Sequence, residues 1–240
     1  MEQLGAVVDE RIIVKALELA SIDASPEVVR QTTLFVDHLK KVNETVNLTA
    51  ITDDESIGTR HLQDSWMLCP YIPNGSTLID VGSGAGFPGL VLKIVRSDLD
   101  VTLLDSVRKK TDFLESAVEL LDIDHAYAIH GRAEELGRDH LYRDQFDVAV
   151  ARAVTALPTL LELSLPLVRP GGLFIAMKGR DDETAESKRA LKELKARLEK
   201  VVRYELPDTD HARSLVIIKK LFPTPSRYPR RMSTIKKNPL

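Results

Sequence analysis

Thr77-Leu78-Ile79-Asp80-Val81-Gly82-Ser83-Gly84-Ala85-Gly86-Phe87-Pro88-Gly89 is the stretch whose reading decides the fold of this chain. Apart from Asp80, its first five residues are apolar or β-branched, as in a short strand covered on both faces. Gly82, Gly84 and Gly86 follow at every second position and remove the Cβ atoms that would block a sharp turn and the close approach of a ligand. A helix predicted from about Gly89 to Val95 presents free backbone N–H groups and a positive dipole end to that turn. Strand, turn and helix together read as a site for a nucleotide-like ligand. A tight turn without a ligand is the competing reading, and the entropy that three alternating glycines cost weighs against it.

Two ligand classes suit the turn. Gly84-Ala85-Gly86-Phe87-Pro88-Gly89 matches the dinucleotide signature G-x-G-x-x-G, which would make the chain a dehydrogenase. In that signature the first glycine directly follows the strand. Here that residue is Gly82, and counted from it the third glycine position holds Phe87. Asp80-x-Gly82-x-Gly84-x-Gly86 gives the better frame, an acid at the strand end followed by alternating glycines. It resembles motif I of the Rossmann-like S-adenosylmethionine (AdoMet) methyltransferases.

Upstream, residues from about 7 to 71 read as helical. Val8, Ile12, Ala16, Leu19 and Ala20 mark one face of a first helix, and Ser25-Pro26 gives the N-cap and first position of a second. Asn43 to Ile51 reads as an ordered connection. A third helix, predicted over about 55–71, carries His61, Asp64 and Ser65 on one face, a hydrogen-bonded surface triplet. A His-Asp-Ser hydrolase triad would also need an oxyanion hole, of which one helix gives no sign.

Downstream of Ser76, strands and helices alternate, the mark of an α/β domain with a parallel sheet. Strands are predicted at 100–105, 125–130, 145–150 and 173–177, and helices at 106–122, about 131–136 and about 157–168. Pro170-Gly171-Gly172 reads as a turn. A charged amphipathic helix is predicted over 182–202 with Leu191, Leu194, Leu198 and Val201 inward, then a hairpin at about 203–206 and 214–221. In such a sheet the ligand lies at the carboxyl ends of the strands, by the topological switch. Those ends carry Asp80, the glycines and Phe87; Asp105, nineteen positions beyond Gly86; Arg132-Ala133-Glu134; Arg152; and Lys178. Asp105 suits both ribose hydroxyls of a nucleoside, and it equally suits an N-cap. Ala133 and Glu134 fit an adenine edge or a plain helix start. Arg152 reads as a surface salt bridge or as a group at the substrate entry.

The chain has 240 residues, 43% hydrophobic and 29% charged, enough for one cored domain with an extension. With a net charge of −3, nucleic-acid binding has to use a local basic patch. Arg227, Arg230, Arg231, Lys236 and Lys237 fall within the last fourteen residues with no acid among them, either an RNA-binding tail or a solubilising one. Cys69 is the single cysteine, which excludes an internal disulfide and a thiolate metal cluster, and no metal is expected. Met1 to Gly5 carry neither the basic start nor the apolar core of a signal peptide, and no apolar run reaches membrane-spanning length. A cytoplasmic monomer with no membrane partner is the expectation.

Taken together, Asn47-Leu48-Thr49-Ala50, Arg60-His61-Leu62-Gln63-Asp64-Ser65, Leu78 to Gly89, Leu103-Leu104-Asp105-Ser106, Ala151-Arg152-Ala153 and Lys178-Gly179 resemble the RsmG (GidB) family, the bacterial 16S rRNA 7-methylguanosine methyltransferases. The resemblance spans about 45–180, and the tail from Tyr228 to Leu240 looks like that of Gram-positive members, with Ser233 and Ile235 where glycine and proline are expected. It implies a Rossmann-like seven-stranded AdoMet-dependent methyltransferase sheet. The implied organisation is an N-terminal helical extension over 1–71, a methyltransferase domain over 72–222 and a basic tail over 223–240. AdoMet is the implied cofactor, with Gly82, Gly84, Phe87, Asp105, Ala133, Glu134 and Arg152 as its contacts. The implied substrate is a guanine in 16S rRNA or the small ribosomal subunit, with His61, Asp64, Lys178 and Arg230 as candidate RNA contacts. His61 and Asp64 are the candidates for any catalytic part, since N7 of guanine needs no general base. A methyltransferase of another RNA and a non-catalytic ribosome-binding protein are the alternatives.

Overall fold

The computed structural model describes residues 8–207 and 212–240; Met1 to Gly5, read above for a targeting segment, lie outside them. Strands β1 (Thr77–Val81), β2 (Asp100–Asp105), β3 (Ala126–His130), β4 (Phe146–Arg152), β5 (Val168–Lys178), β6 (Ala196–Glu205) and β7 (Ala212–Lys220) form one sheet in the order β3-β2-β1-β4-β5-β7-β6. The first five are parallel, and β7 runs antiparallel to both β5 and β6. This is the seven-stranded Rossmann-like sheet expected. The chain builds outward from β1 through β2 to β3, then returns to β4, so the order reverses between β1 and β4, where Ile79 pairs with Ala149.

The helices are α1 (Glu10–Leu19), α2 (Pro26–Val46), α3 (Asp54–Ser56), α4 (Asp64–Trp66), α5 (Gly89–Val95), α6 (Arg108–Leu121), α7 (Ala133–Leu136), α8 (Leu157–Ser164), α9 (Lys188–Glu193) and α10 (Met232–Lys237). Ser25 caps α2 by accepting the Val28 N–H, with Pro26 at the first helical position as predicted. Successive residues of each central strand feed opposite layers. Leu78, Val148, Val150 and Ile175 pack with Phe35, Leu39, Val91 and Phe113 from α2, α5 and α6. Ile79, Ala149, Ala151 and Phe174 pack with Leu157, Leu160 and Leu161 of α8 and with Tyr228 and Leu240 of the C-terminal segment. Burying each valine, leucine, isoleucine or phenylalanine among them contributes about 1.5–3 kcal/mol. Ile13 and Leu17 of α1 belong to the first layer, so residues before β1 share its core. Trp66, fully buried, donates its indole N–H to the Val91 carbonyl at 2.9 Å and ties α4 to α5.

Three sequence expectations need correction. The helix predicted over 182–202 is helical only at Lys188–Glu193, and Ala196–Glu205 is β6. Leu194 is buried, but Leu198 is 39% exposed. The buried strand β7 needs a partner on its free edge, and that pairing overrides the helical propensity of Ala196 to Lys200. Charged residues along β6 then close the sheet against further pairing. Pro170-Gly171-Gly172 falls inside the span of β5 but turns out of the ladder as predicted: pairing with β4 jumps from Val168 to Leu173, and Gly171 sits at φ +82°. The helix predicted to reach Val168 ends at Ser164. The third helix is not regular: Ile57–Gln63 is π-helical, and the Asp64 N–H reaches the Thr59 carbonyl.

Candidate active site

Backbone bonds hold the glycine turn at the carboxyl ends of β1 and β2. The Gly82 and Ser83 N–H groups donate to the Leu104 carbonyl at 2.8 and 3.0 Å. The Gly84 N–H donates to Asp105 Oδ2 at 2.9 Å, and Asp105 Oδ1 accepts the Val107 N–H at 2.9 Å. Asp105 therefore pins the turn and shapes the entry to α6, although the helix itself starts at Arg108. Gly82 sits at φ +82°, which demands glycine, and a Cβ there would lie 2.7 Å from Val154 Cγ2 and push that exposed side chain aside. Asp80 Oδ2 accepts the Gly89 N–H at 2.8 Å, while its Oδ1 is buried with no partner. Burial pushes the Asp80 carboxyl up to about 7, against the opposing pull of the Gly89 N–H and Arg152.

Above the turn is a cavity of about 440 Å³. Gly82, Gly84, Phe87, Asp105, Ala133, Glu134 and Arg152 all line it, so the seven residues assigned to a cofactor from the sequence come together. So does His61. A second cavity of about 410 Å³ contains Arg60, Asp64, Lys178 and Arg213, and it shares His61, Arg152 and Ala153 with the first.

The shared wall is a layered stack. The His61 ring lies on Phe87, with centroids 4.4 Å apart and planes at 18°, and the Arg152 guanidinium stands 5.3 Å from the Phe87 centroid. Arg152 donates to the Arg60 carbonyl at 3.1 Å and to His61 Nδ1 at 3.0 Å, and lies 3.5 Å from Asp64 Oδ2. A guanidinium has only donors, so His61 Nδ1 accepts and the imidazole proton sits on Nε2, 3.0 Å from Thr49 Oγ1. Burial, then the positive charge of Arg152, pushes the His61 pKa down to about 3. Arg152 itself is lowered by burial, against the pull of Asp64 and Asp80.

The surface triplet expected on one helix face does not form. His61, Asp64 and Ser65 are buried, and Ser65 donates to the His61 backbone carbonyl. Asp64 instead accepts from the Tyr204 hydroxyl at 2.7 Å and lies 3.7 Å from Arg213. The wider π turn breaks the regular i, i+3 and i, i+4 spacing of an α-helix face. Lys178 pairs with Glu183 at 2.7 Å and donates to the Thr155 carbonyl at 3.2 Å. Arg230 lines neither cavity. It grips the buried Glu162 with Nε at 2.8 Å and Nη2 at 2.6 Å. Among the described residues no cluster of three His, Cys, Asp or Glu is placed to hold a metal ion.

Sequence reasoning missed Thr49, Tyr204, Arg213 and Met232. Thr49 stood inside a polar connection that gave no sign of facing a cavity. Met232, which lines the cofactor-side cavity, belongs to a tail read only for its charge.

A model of the family described as rRNA small subunit methyltransferase G, GidB, matches residues 29–215. The chain belongs to that family. The small subunit methyltransferase G of Acetivibrio thermocellus is 44% identical over 232 residues, 96% of this chain and 96% of its own. That of Thermoanaerobacter sp. (strain X514) is 46% identical over 216 residues, 85% of this chain and 90% of its own. Of solved structures, M. jannaschii TYW2 in complex with AdoMet aligns with a TM-score of 0.54 at 12% identity, over 67% of this chain and 76% of that one. The [4+2]-cyclase SpnF aligns with a TM-score of 0.53 at 12% identity, over 67% and 81%. Similarity at these identities is one of fold, and the methyltransferase G family is what the sequence matches identify.

Proposed function

We propose that this AdoMet-dependent rRNA methyltransferase transfers its methyl group to N7 of a guanine in 16S rRNA. AdoMet occupies the cavity of about 440 Å³ and the guanine enters through the cavity of about 410 Å³. The observation that carries the reading is the shared wall, because His61, Arg152 and Ala153 border both spaces and two guests would meet there.

The residues present fit the cofactor. Gly82 leaves room that a Cβ would remove. Each Asp105 oxygen accepts one backbone N–H and keeps a further lone pair for a ribose hydroxyl. Ala133 and Glu134 border the adenine side, and Phe87 and Arg152 the methionine side. Bound AdoMet supplies a sulfonium methyl group open to a lone pair.

Guanine N7 has such a lone pair and no proton to lose, so alignment of the reacting atoms is the main contribution asked of the protein. His61 is neutral and engaged at both ring nitrogens, which makes it a positioning group and not a base. Asp64 lies between Arg152 and Arg213, so its charge is balanced and its part is to hold both guanidinium groups at the second cavity. Arg213 and Lys178 border that cavity, and on this reading they turn from Asp64 and Glu183 to the phosphates of the incoming RNA. The chain acts as a cytoplasmic monomer on this reading, and among the described residues no helix is long and apolar enough to cross a membrane.

The test incubates the full chain with methyl-labelled AdoMet and either naked 16S rRNA or intact small subunits. Label should enter 16S rRNA in at least one of the two, and Gly82→Ala should lose AdoMet binding and transfer together. AdoMet binding without label in either substrate would overturn the reading.

A further inference from the structure

We propose that the Thr49 hydroxyl donates a hydrogen bond to O6 of the target guanine and is the group that tells guanine from adenine. The inference rests on the guanine-N7 reading above. The donors that lead to Thr49 form a chain of fixed direction. Arg152 can only donate, so His61 Nδ1 accepts at 3.0 Å and His61 Nε2 carries the proton. That proton goes to Thr49 Oγ1 at 3.0 Å. The Ile51 N–H donates to the same oxygen at 3.1 Å. A threonine hydroxyl has two lone pairs and one proton. Both pairs are engaged, so the only interaction left to Thr49 is donation, and among the described residues its proton has no acceptor.

The donor is also held still. The Thr49 N–H donates to Asn43 Oδ1 at 2.9 Å and its carbonyl accepts from Asn43 Nδ2 at 3.0 Å, which anchors the backbone on either side of the hydroxyl. Thr49 lines the cofactor-side cavity next to His61, the residue that also borders the second cavity. On this proposal a base entering from the second cavity passes the His61 wall and brings its position-6 group, which neighbours N7, to Thr49 on the cofactor side.

Guanine and adenine both offer an N7 lone pair, so N7 chemistry alone does not choose between them. They differ beside it: guanine has the O6 acceptor and adenine the N6 amino donor. A hydroxyl free to rotate with open lone pairs would accept from adenine as readily as it donates to guanine. Thr49 lacks that freedom, because Arg152 and His61 have set its polarity. It pairs with O6 and faces an amino group donor to donor.

The experiment uses the full chain in single turnover, on 16S rRNA carrying guanine or 2-aminopurine at the target position, with AdoMet affinity measured by calorimetry. 2-Aminopurine keeps N7 and lacks O6. Thr49→Val, which also removes the acceptor of the His61 and Ile51 N–H groups, should slow transfer to guanine by at least roughly 10-fold, the scale of one lost hydrogen bond, with AdoMet affinity held within about twofold and most of the rate regained in Thr49→Ser. Wild type should also be slowed on 2-aminopurine, and Thr49→Val should lose less on 2-aminopurine than on guanine, because the O6 bond is already absent there. Losses that multiply would overturn the proposal. So would a Thr49→Val defect cured by excess AdoMet, which would assign the hydroxyl to the cofactor. The wild-type arm needs no variant to fold: an undiminished rate on 2-aminopurine overturns the proposal by itself. No transfer by wild type to native 16S rRNA is a separate result, and it would sink the function on which the proposal rests.

Discussion

His61 and Asp80 are buried ionisable residues whose titrations pull stability in opposite directions. His61 titrates near its ordinary 6.5 when unfolded but only at about 3 in the fold. The stability it contributes is therefore present above pH 6.5 and lost as the pH falls from there. Asp80 is raised from 3.8 to about 7 in the fold. Its contribution is present in acid and lost as the pH rises from about 4 to about 7. The two offset each other in wild type, so the variants reveal them. Relative to wild type, His61→Gln should gain stability as the pH falls from 6.5, and Asp80→Asn should gain it as the pH rises from 4, each by about 1.4 kcal/mol per pH unit at most. Urea midpoints at several pH values check both signs. Gly82→Ala should lower AdoMet affinity by at least about tenfold, since a positive-φ position resists a Cβ and the Val154 side chain would be pushed aside. Residues of the glycine turn and Asp105 were legible because their chemistry is local in sequence. The Arg152-His61-Thr49 relay was not, because its partners meet only when β4, the π turn and the Asn43–Ile51 connection are packed together.

At the scale of elements, what the sequence revealed depended on burial. β1, β2 and β4 are covered on both faces, and their apolar runs stood out. β6 is an edge strand with mostly exposed, charged residues, and its leucine and valine spacing passed for a helix face. The tail shows the same limit. Read by charge alone it is an RNA-binding arm or a solubilising one, yet Tyr228, Ile235 and Leu240 are buried and Arg230 neutralises Glu162. Deleting residues after Pro225 would take away the guanidinium partner of Glu162 and the apolar packing of Tyr228, Ile235 and Leu240 together. Thermal unfolding should show a much lower midpoint, and AdoMet affinity should fall because Met232 lines the cofactor-side cavity. The charge question is separable from the packing one. Arg227 is paired with Glu193, whereas Arg231, Lys236 and Lys237 have no acidic partner among the described residues. Replacing those three by alanine should leave the melting midpoint near wild type and reduce the slope of log affinity against log salt by about 0.7 for each phosphate that is no longer neutralised. An unchanged slope would remove the tail from the RNA interface.

For the whole molecule, the reversal of strand order between β1 and β4 sets where two guests meet, and the net charge of −3 leaves RNA binding to local patches. Strand-and-helix alternation and the framing of the glycine turn were enough to reach the sheet and the cofactor class. The second cavity was beyond the sequence, because its walls come from the π turn, β4, β5 and the start of β7. The central claim is that a guanine presented there is methylated at N7 without a general base. The most direct measurement is to incubate the full chain with AdoMet and unmodified 16S rRNA or small subunits, digest the RNA to nucleosides and identify the methylated product by mass spectrometry. The account predicts 7-methylguanosine and a transfer rate that shows no titration of His61 between pH 6 and 8. A different methylated nucleoside as the product, or no methylated nucleoside beyond the control, would contradict it.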